Sequence, residues 1–302
     1  RNRPSGDLQA AVEGRARSAV GGPGSLAQPK PLPSEIDVFG LTHPGRAKRF
    51  NADQFLVASF HRAMHVHASS PGIELPPLST YSRGYLLLVA DGVGALPHGS
   101  ARAVESVARH LLDMGEIGLE SDPTREGELL EQLRLSVKKA HERVVKLGRQ
   151  SGRGTMATTL TMLIAVWPRL FVIHVGDSRC YRLRSGDLQM LTKDQNMAQA
   201  VVDAGLMNRS AAEASRLGHV LWSALGSDTL HPQVTTTDCR RSDIVLLCTD
   251  GLTRHVSEEE IRAKLAAGAG AEKICRDLVD LAVERGGEDN VTVVAGRARG
   301  HG

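Results

Sequence analysis

Apolar residues fall into short unbroken runs separated by polar or Gly/Pro-containing stretches, with two longer segments of helical spacing between them. The runs at 36–41, 55–58 and 85–90 have strand length and predict three strands. Two helices are predicted next, over about 100–112 and 125–147. In the second, Leu129, Leu133, Val137, Ala140, Val144 and Leu147 recur on one face, and Ser151-Gly152-Arg153-Gly154 ends the pattern. Strands are then predicted at 158–166, 170–175 and 180–183, joined by a Trp167-Pro168 turn and followed by a Ser185-Gly186-Asp187 turn. Strands so close in sequence pair antiparallel, because a parallel crossover needs about a dozen residues or more. Further strands are expected at 233–237, 244–248 and 290–295, with two helices within 257–285. Strands, helices, strands, helices and a closing strand predict an α+β fold, its antiparallel sheets covered by helices.

The ends and interruptions of this pattern set the domain plan. Residues 1–34 mix Gly, Pro, Ala and Arg with few large apolar side chains, too little to offset ordering entropy, and are expected to form a flexible tail. One domain is expected over 35–298, a size that supports a single large core. The stretch between Phe60 and Arg83, rich in His and Pro, reads as a long loop or insertion. The net charge of +3 includes no concentrated basic block, which argues against nucleic-acid binding. No apolar run reaches the roughly 18 residues of a membrane span, and none follows the N-terminal arginines as in a secretory signal. Cys180, Cys239, Cys248 and Cys275 lack a Cys-x-x-Cys spacing and read as reduced thiols. A cytoplasmic protein is expected.

Three aspartates share one context. Asp91 follows an apolar run and precedes Gly92; Asp250 does the same before Gly251; Asp289 precedes Asn290 and a strand. A carboxylate at the end of a buried strand is held by the sheet yet faces solvent, and such oxygens suit hard cations such as Mg²⁺ or Mn²⁺. Any one Asp-Gly pair taken alone is most simply an ordinary turn; the combination carries the reading. Gly176-Asp177-Ser178-Arg179 reads either as a hairpin turn or as a further acidic site. Lys48 and Arg49, before Asn51-Ala52-Asp53, are candidates to bind a phosphoryl oxygen or simply form a solvated basic turn.

In order, these pieces resemble the metal-dependent type 2C serine/threonine protein phosphatases in their bacterial form. The likeness runs from Val38 to Val294: Lys48-x-x-Asn51-Ala52-Asp53, Asp91-Gly92-Val93-Gly94, Gly154-Thr155-Met156-Ala157-Thr158-Thr159-Leu160, Gly176-Asp177-Ser178-Arg179, Leu191-Thr192-x-Asp194, Asp250-Gly251-Leu252 and Asp289-Asn290. The resemblance implies a four-layer αββα sandwich with a flap at about 194–220. It implies two Mn²⁺ or Mg²⁺ ions: Asp91 bridges both, the Gly92 carbonyl serves one, Asp250 and Asp289 hold the other, and Asp177 serves a third, weaker site. Asp53 orients water or metal, and Lys48 or Arg49 binds phosphate. The implied activity is hydrolysis of phosphoserine and phosphothreonine by in-line attack of hydroxide activated between the ions, by a monomer acting on phosphorylated proteins and opposing a serine/threonine kinase.

The chain departs from the pattern at four places. Ala52 stands where the family has Glu, Lys48 where it has Arg, Ala95 where relatives have a second Gly, and Gln195 where the flap has His. Ala52 and Lys48 are the features expected of a rival, a pseudophosphatase that keeps the fold as a binding or scaffold module. Another rival is a zinc site on His61, His65 and His67, against which a Pro-rich loop of solvated histidines is set. Lys138, Lys139, Arg143, Lys146 and Arg149 read as a solvated helix face or a docking surface for an acidic partner.

Overall fold

Each apolar run becomes a strand that pairs antiparallel with its neighbours. The computed structural model describes residues 29–61, 82–94, 98–113, 123–152, 155–213 and 215–299. One sheet contains β1 (Ile36–His43), β8 (Arg179–Arg184), β9 (Asp187–Met190), β11 (Ile244–Cys248) and β12 (Val291–Ala298), in the order β1-β12-β11-β8-β9. The other contains β2 (Gln54–His61), β3 (Ser82–Ala90), β6 (Leu160–Val166), β7 (Arg169–Val175) and β10 (Gln233–Asp238), in the order β10-β7-β6-β3-β2.

Helices α1 (Gly99–Asp113) and α2 (Glu126–Ser151) pack on the second sheet. Ala103, Val107, Leu133, Val137, Ala140 and Val144 bury completely against Leu86, Leu88, Met162 and Ile173. Helix α2 stops at Gly152, whose positive φ closes the last turn. On the first sheet, α6 (Glu258–Ala266) and α7 (Ala271–Glu284) bury Ile261, Leu265, Ile274, Leu278 and Ala282 against Tyr181, Leu246, Val291 and Val293. A third apolar layer, including Leu87, Val89, Leu163, Leu247 and Val294, lies between the sheets. The architecture is a four-layer αββα sandwich, as the motif pattern implied.

Several details differ from the sequence expectation. The strand expected over 158–166 is divided at Thr159 into β5 (Met156–Thr158) and β6, and β5 pairs with the three-residue β4 (Gly92–Gly94) in a separate ribbon. The region after Asp250 forms a one-turn helix, α5 (Asp250–Thr253). Elements this short carry no periodicity for a sequence reading to detect.

Of the tail expected at 1–34, residues 1–28 lie outside the described residues. Beyond them, Pro31 is buried, and Arg241 donates to the Pro29 carbonyl at 3.3 Å and to Glu35 Oε1 at 2.6 Å. Of the insertion expected between Phe60 and Arg83, residues 62–81 lie outside the described residues, His65 and His67 of the zinc reading among them; His61 hydrogen-bonds Ser59 at 2.5 Å. All four cysteines are free, and Cys180, Cys248 and Cys275 are buried. No helix among the described residues is long and apolar enough to cross a membrane.

Candidate metal and phosphate site

Antiparallel pairing brings strand starts and strand ends to one edge. Gln54 at the start of β2 pairs with Ala90 at the end of β3, and Cys248 at the end of β11 pairs with both Val293 of β12 and Arg179 of β8. Asp53, Asp91, Asp177, Asp250 and Asp289 occupy the positions just beyond those strand ends, so five aspartates scattered over the sequence share one end of the sandwich.

Each is fixed by its neighbours. The Asp91 backbone N–H donates to Thr159 Oγ1 at 2.9 Å, and its carbonyl accepts from Thr159 N–H at 2.9 Å and Thr158 Oγ1 at 2.8 Å. The interruption at Thr159 is therefore what holds Asp91. Gly92 leaves no room for a side chain: a Cβ there would stand 2.8 Å from the Ala52 carbonyl oxygen, which accepts from Gly92 N–H at 3.2 Å and from Ser100 Oγ.

Asp53 is almost fully buried. Its Oδ2 accepts from Thr249 Oγ1 at 2.8 Å and Thr292 Oγ1 at 2.7 Å. Behind Thr292 the chain of donors continues: Thr42 Oγ1 lies 2.7 Å from Thr292 Oγ1, and Asn51 Nδ2 donates to Thr42 Oγ1 at 2.8 Å. Asn290 ties the two sheets' loops together, accepting from Ala52 N–H at 2.8 Å and donating to the carbonyls of Pro44 and Phe50 at 2.9 and 3.0 Å. Gln195, which departs from the family's His, clamps the loop carrying Asp177: its Oε1 accepts from Gly176 N–H at 3.0 Å and its own N–H donates to the Gly176 carbonyl at 2.7 Å.

The electrostatics record how close the carboxyls are. Burial raises the Asp53 carboxyl from 3.8 to about 7 despite its threonine donors, with Asp250 adding to the rise. Burial and the neighbouring charges of Asp53, Asp250, Asp177 and Asp289 push Asp91 well above the carboxylate range. Asp177 and Asp250 are raised too, chiefly by burial. The charges of Asp53 and Asp250 each raise Asp91, so the three carboxyls lie close together at the edge.

Cations of the chain itself complete the cluster. Lys48 Nζ lies 3.0 Å from Asp289 Oδ1, while Arg254 donates to Asp289 Oδ2 at 3.0 Å and to Asp250 Oδ2. Arg49 stands apart, exposed, with its guanidinium over the Phe50 ring. The sequence reading missed Arg254, Thr249 and Thr292 as parts of the site, and gave Asn290 a place in the Asp289-Asn290 motif without a role. Arg254 follows Asp250 by four residues, but the one-turn helix that makes this spacing meaningful carries no periodicity to detect.

Two buried oxygens, Asp53 Oδ1 and Asp250 Oδ1, have no hydrogen-bond partner. Unpartnered carboxylate oxygens, an all-oxygen donor set and mutual repulsion together suit a hard divalent cation. Among the described residues no three acidic, His or Cys side chains already surround one point as a metal shell would. The donors fit such an ion by their chemistry: buried carboxylate oxygens, two of them unpartnered, at one edge.

Above the edge, the segment with α3 (Met197–Asp203), α4 (Arg209–Glu213) and the Arg216–His219 turn faces α5 and α6 across a cleft of about 770 Å³. Asp177, Asp250, Arg254, Arg179 and His219 are among its lining residues. The Arg179 guanidinium is spent on Asp194, with Nη2 to Oδ2 at 2.7 Å, which anchors this segment to β8.

The protein phosphatase 2C family model matches residues 76–282. The chain belongs to that family. Among type 2C relatives, the serine/threonine protein phosphatase PstP of Mycobacterium tuberculosis is 35% identical over 217 residues, which are 72% of this chain and 41% of PstP. This chain thus spans about two-fifths of that relative's length. Protein phosphatase PhpP of Streptococcus pneumoniae is 26% identical over 69% of this chain and 83% of its own. Among solved type 2C structures, the M. tuberculosis PstP/Ppp crystal structure superposes with a TM-score of 0.69 at 27% identity, covering 88% of this chain and 99% of that one. The PstP catalytic domain in complex with two manganese ions gives a TM-score of 0.68 at 28% identity, over 88% of this chain and 99% of that one.

Proposed function

We propose that this protein is a metal-dependent serine/threonine protein phosphatase, a phosphoric monoester hydrolase acting on phosphorylated proteins and opposing a serine/threonine kinase inside the cell. The observation that carries this reading is the gathering of five aspartates at one sandwich edge, two with buried oxygens that lack any partner. The family and the manganese complex of a relative support it.

Asp91, the Gly92 carbonyl, Asp250 and Asp289 would hold two Mn²⁺ or Mg²⁺ ions, with Asp177 serving a third, weaker site. Bound there, the ions supply a water made nucleophilic near neutral pH and neutralise phosphoryl charge. The protein's own contribution is placement. Lys48, half-exposed beside Asp289, offers a point charge to a phosphoryl oxygen at the edge. Asp53 Oδ2 is locked by two threonine hydroxyls, so its free Oδ1 is aimed by the same contacts and can hold a proton or orient water. The acyclic phosphoester needs no nucleophilic Ser or Cys, and Cys180 and Cys248 are buried with their thiols held protonated.

The test is hydrolysis of p-nitrophenyl phosphate and of a phosphothreonine peptide, with Mn²⁺ and after exhaustive chelation. Turnover is expected only with metal, and Asp250→Asn should lower it by roughly a hundredfold or more. Activity that survives chelation refutes the metal mechanism; a wild-type rate in Asp250→Asn removes that residue from the ligand set.

A further inference from the structure

Asp289 has no free oxygen. Lys48 Nζ stands 3.0 Å from Oδ1 and Arg254 Nη1 stands 3.0 Å from Oδ2, while the other arm of the same guanidinium takes Asp250 Oδ2. Two of the three aspartates at the heart of the site are therefore engaged by one side chain of the protein itself.

The position of Arg254 is built in. It caps α5 one turn after Asp250, and its backbone N–H donates to the Asp250 carbonyl at 3.0 Å, so the i, i+4 geometry sets guanidinium and carboxylate side by side. Asp250 is itself held where it is because Gly251 lies against the Asn290 carbonyl, bringing the start of α5 onto the start of β12. The guanidinium is about a third exposed and lines the cleft, so it has an open direction in which to withdraw.

At Asp289 both oxygens are already taken, so a guanidinium and a divalent ion compete there for the same carboxylate; at Asp250, whose Oδ1 is open, their like charges repel at contact distance. On the reading of the site proposed above, we infer that Arg254 is a resident counter-cation that a metal ion must displace, so that loading of the site is an exchange of one cation for another. Three consequences follow from the exchange. The metal-free protein keeps its carboxylates neutralised and its edge intact. Metal affinity is lower than the carboxylates alone would give. Only a divalent ion, with more charge than the guanidinium, competes well.

Calorimetric titration of the full chain with MnCl₂, beside thermal melting in chelator, tests this on the wild type, Arg254→Gln and Arg254→Lys. Arg254→Gln is expected to bind Mn²⁺ roughly tenfold more tightly, the scale of two partly exposed ion pairs lost as competitors. Arg254→Lys, which keeps the charge and loses the two-armed contact, should fall between. Melting of Arg254→Gln should drop in chelator and match the wild type at saturating Mn²⁺. Unchanged or weaker Mn²⁺ binding in a folded Arg254→Gln overturns the exchange, and if that variant does not fold, unchanged or weaker binding by Arg254→Lys overturns it equally. Should the wild type and both variants all fail to bind Mn²⁺, the metal reading falls and the exchange with it. Wild-type binding with no gain in the variants removes the exchange alone.

Discussion

A carboxyl such as Asp53 is held between opposing demands: burial favours the protonated form, while two threonine hydroxyls favour the ionised one. Burial wins, and the group titrates at about 7 against 3.8 for an ordinary aspartate. Between those values the folded protein keeps a proton that the unfolded chain has released. The stability this contributes is full below about pH 4 and is lost as pH rises through 7; Asp91, Asp177 and Asp250 shift in the same direction. His174 works the other way. Buried, and placed between Thr161 Oγ1 and the Lys193 carbonyl, it is lowered from 6.5 to about 4, so its contribution is lost as pH falls through that window. His174 acts alike with and without metal, so comparing the two states isolates the aspartates. Chemical denaturation in chelator should therefore become easier relative to the Mn²⁺-saturated protein as pH rises from 5 to 8. A gap between the two midpoints that stays constant over that range would show that the buried carboxyls do not hold protons in the metal-free protein.

Short elements, more than long ones, shape the site. One-turn α5 and three-residue β4 and β5 add only Leu252 and Met156 to the core clusters, yet they place Asp250, Gly92 and Thr158. Their glycines are constrained by backbone contact. A Cβ on Gly251 would lie 1.9 Å from the Asn290 carbonyl oxygen, whereas one on exposed Gly127, in the first turn of α2, meets nothing within 4 Å. Gly251→Ala is expected to cost about 3 kcal/mol or more and to weaken Mn²⁺ binding by separating Asp250 from Asp289. Gly127→Ala should instead stabilise the protein by about 0.5–1 kcal/mol, through the lower backbone entropy of alanine in the unfolded chain. Urea midpoints of the two variants, with Mn²⁺ titrations, check both signs.

At the scale of the molecule, the site is a by-product of how two sheets stack. Three apolar layers alternate with two sheets, and the middle layer decides how the ends of β3 and β11 stand relative to one another. Leu247 sits in that layer, fully buried on β11 three residues before Asp250. Leu247→Ala is expected to destabilise the protein by about 2–5 kcal/mol through the cavity it leaves. A single cooperative unfolding transition should persist, read by circular dichroism and tryptophan fluorescence together, because both sheets share that layer. Two separated transitions would mean that the halves fold as independent units.

Periodicity alone determined the fold class of this protein, antiparallel sheets covered by helices, while the four-layer order was implied by the resemblance of its motifs. The runs at 85–90 and 244–248 and the face of Leu129, Leu133, Val137 and Val144 admit few other arrangements, since burial of apolar surface is local in its pattern and insensitive to detail. The acidic residues at strand ends were legible for the same reason: Asp91, Asp250 and Asp289 each punctuate an apolar run. Tertiary structure alone decided what surrounds them. Asn51, Thr42 and Thr292 form one line of hydroxyl and amide contacts to Asp53 although up to 250 residues separate its members. Asn290 bonds across 238 residues to Ala52, and Arg254 couples Asp250 to Asp289. Such contacts depend on direction and on distances of about 3 Å, and a linear pattern of polar letters encodes neither.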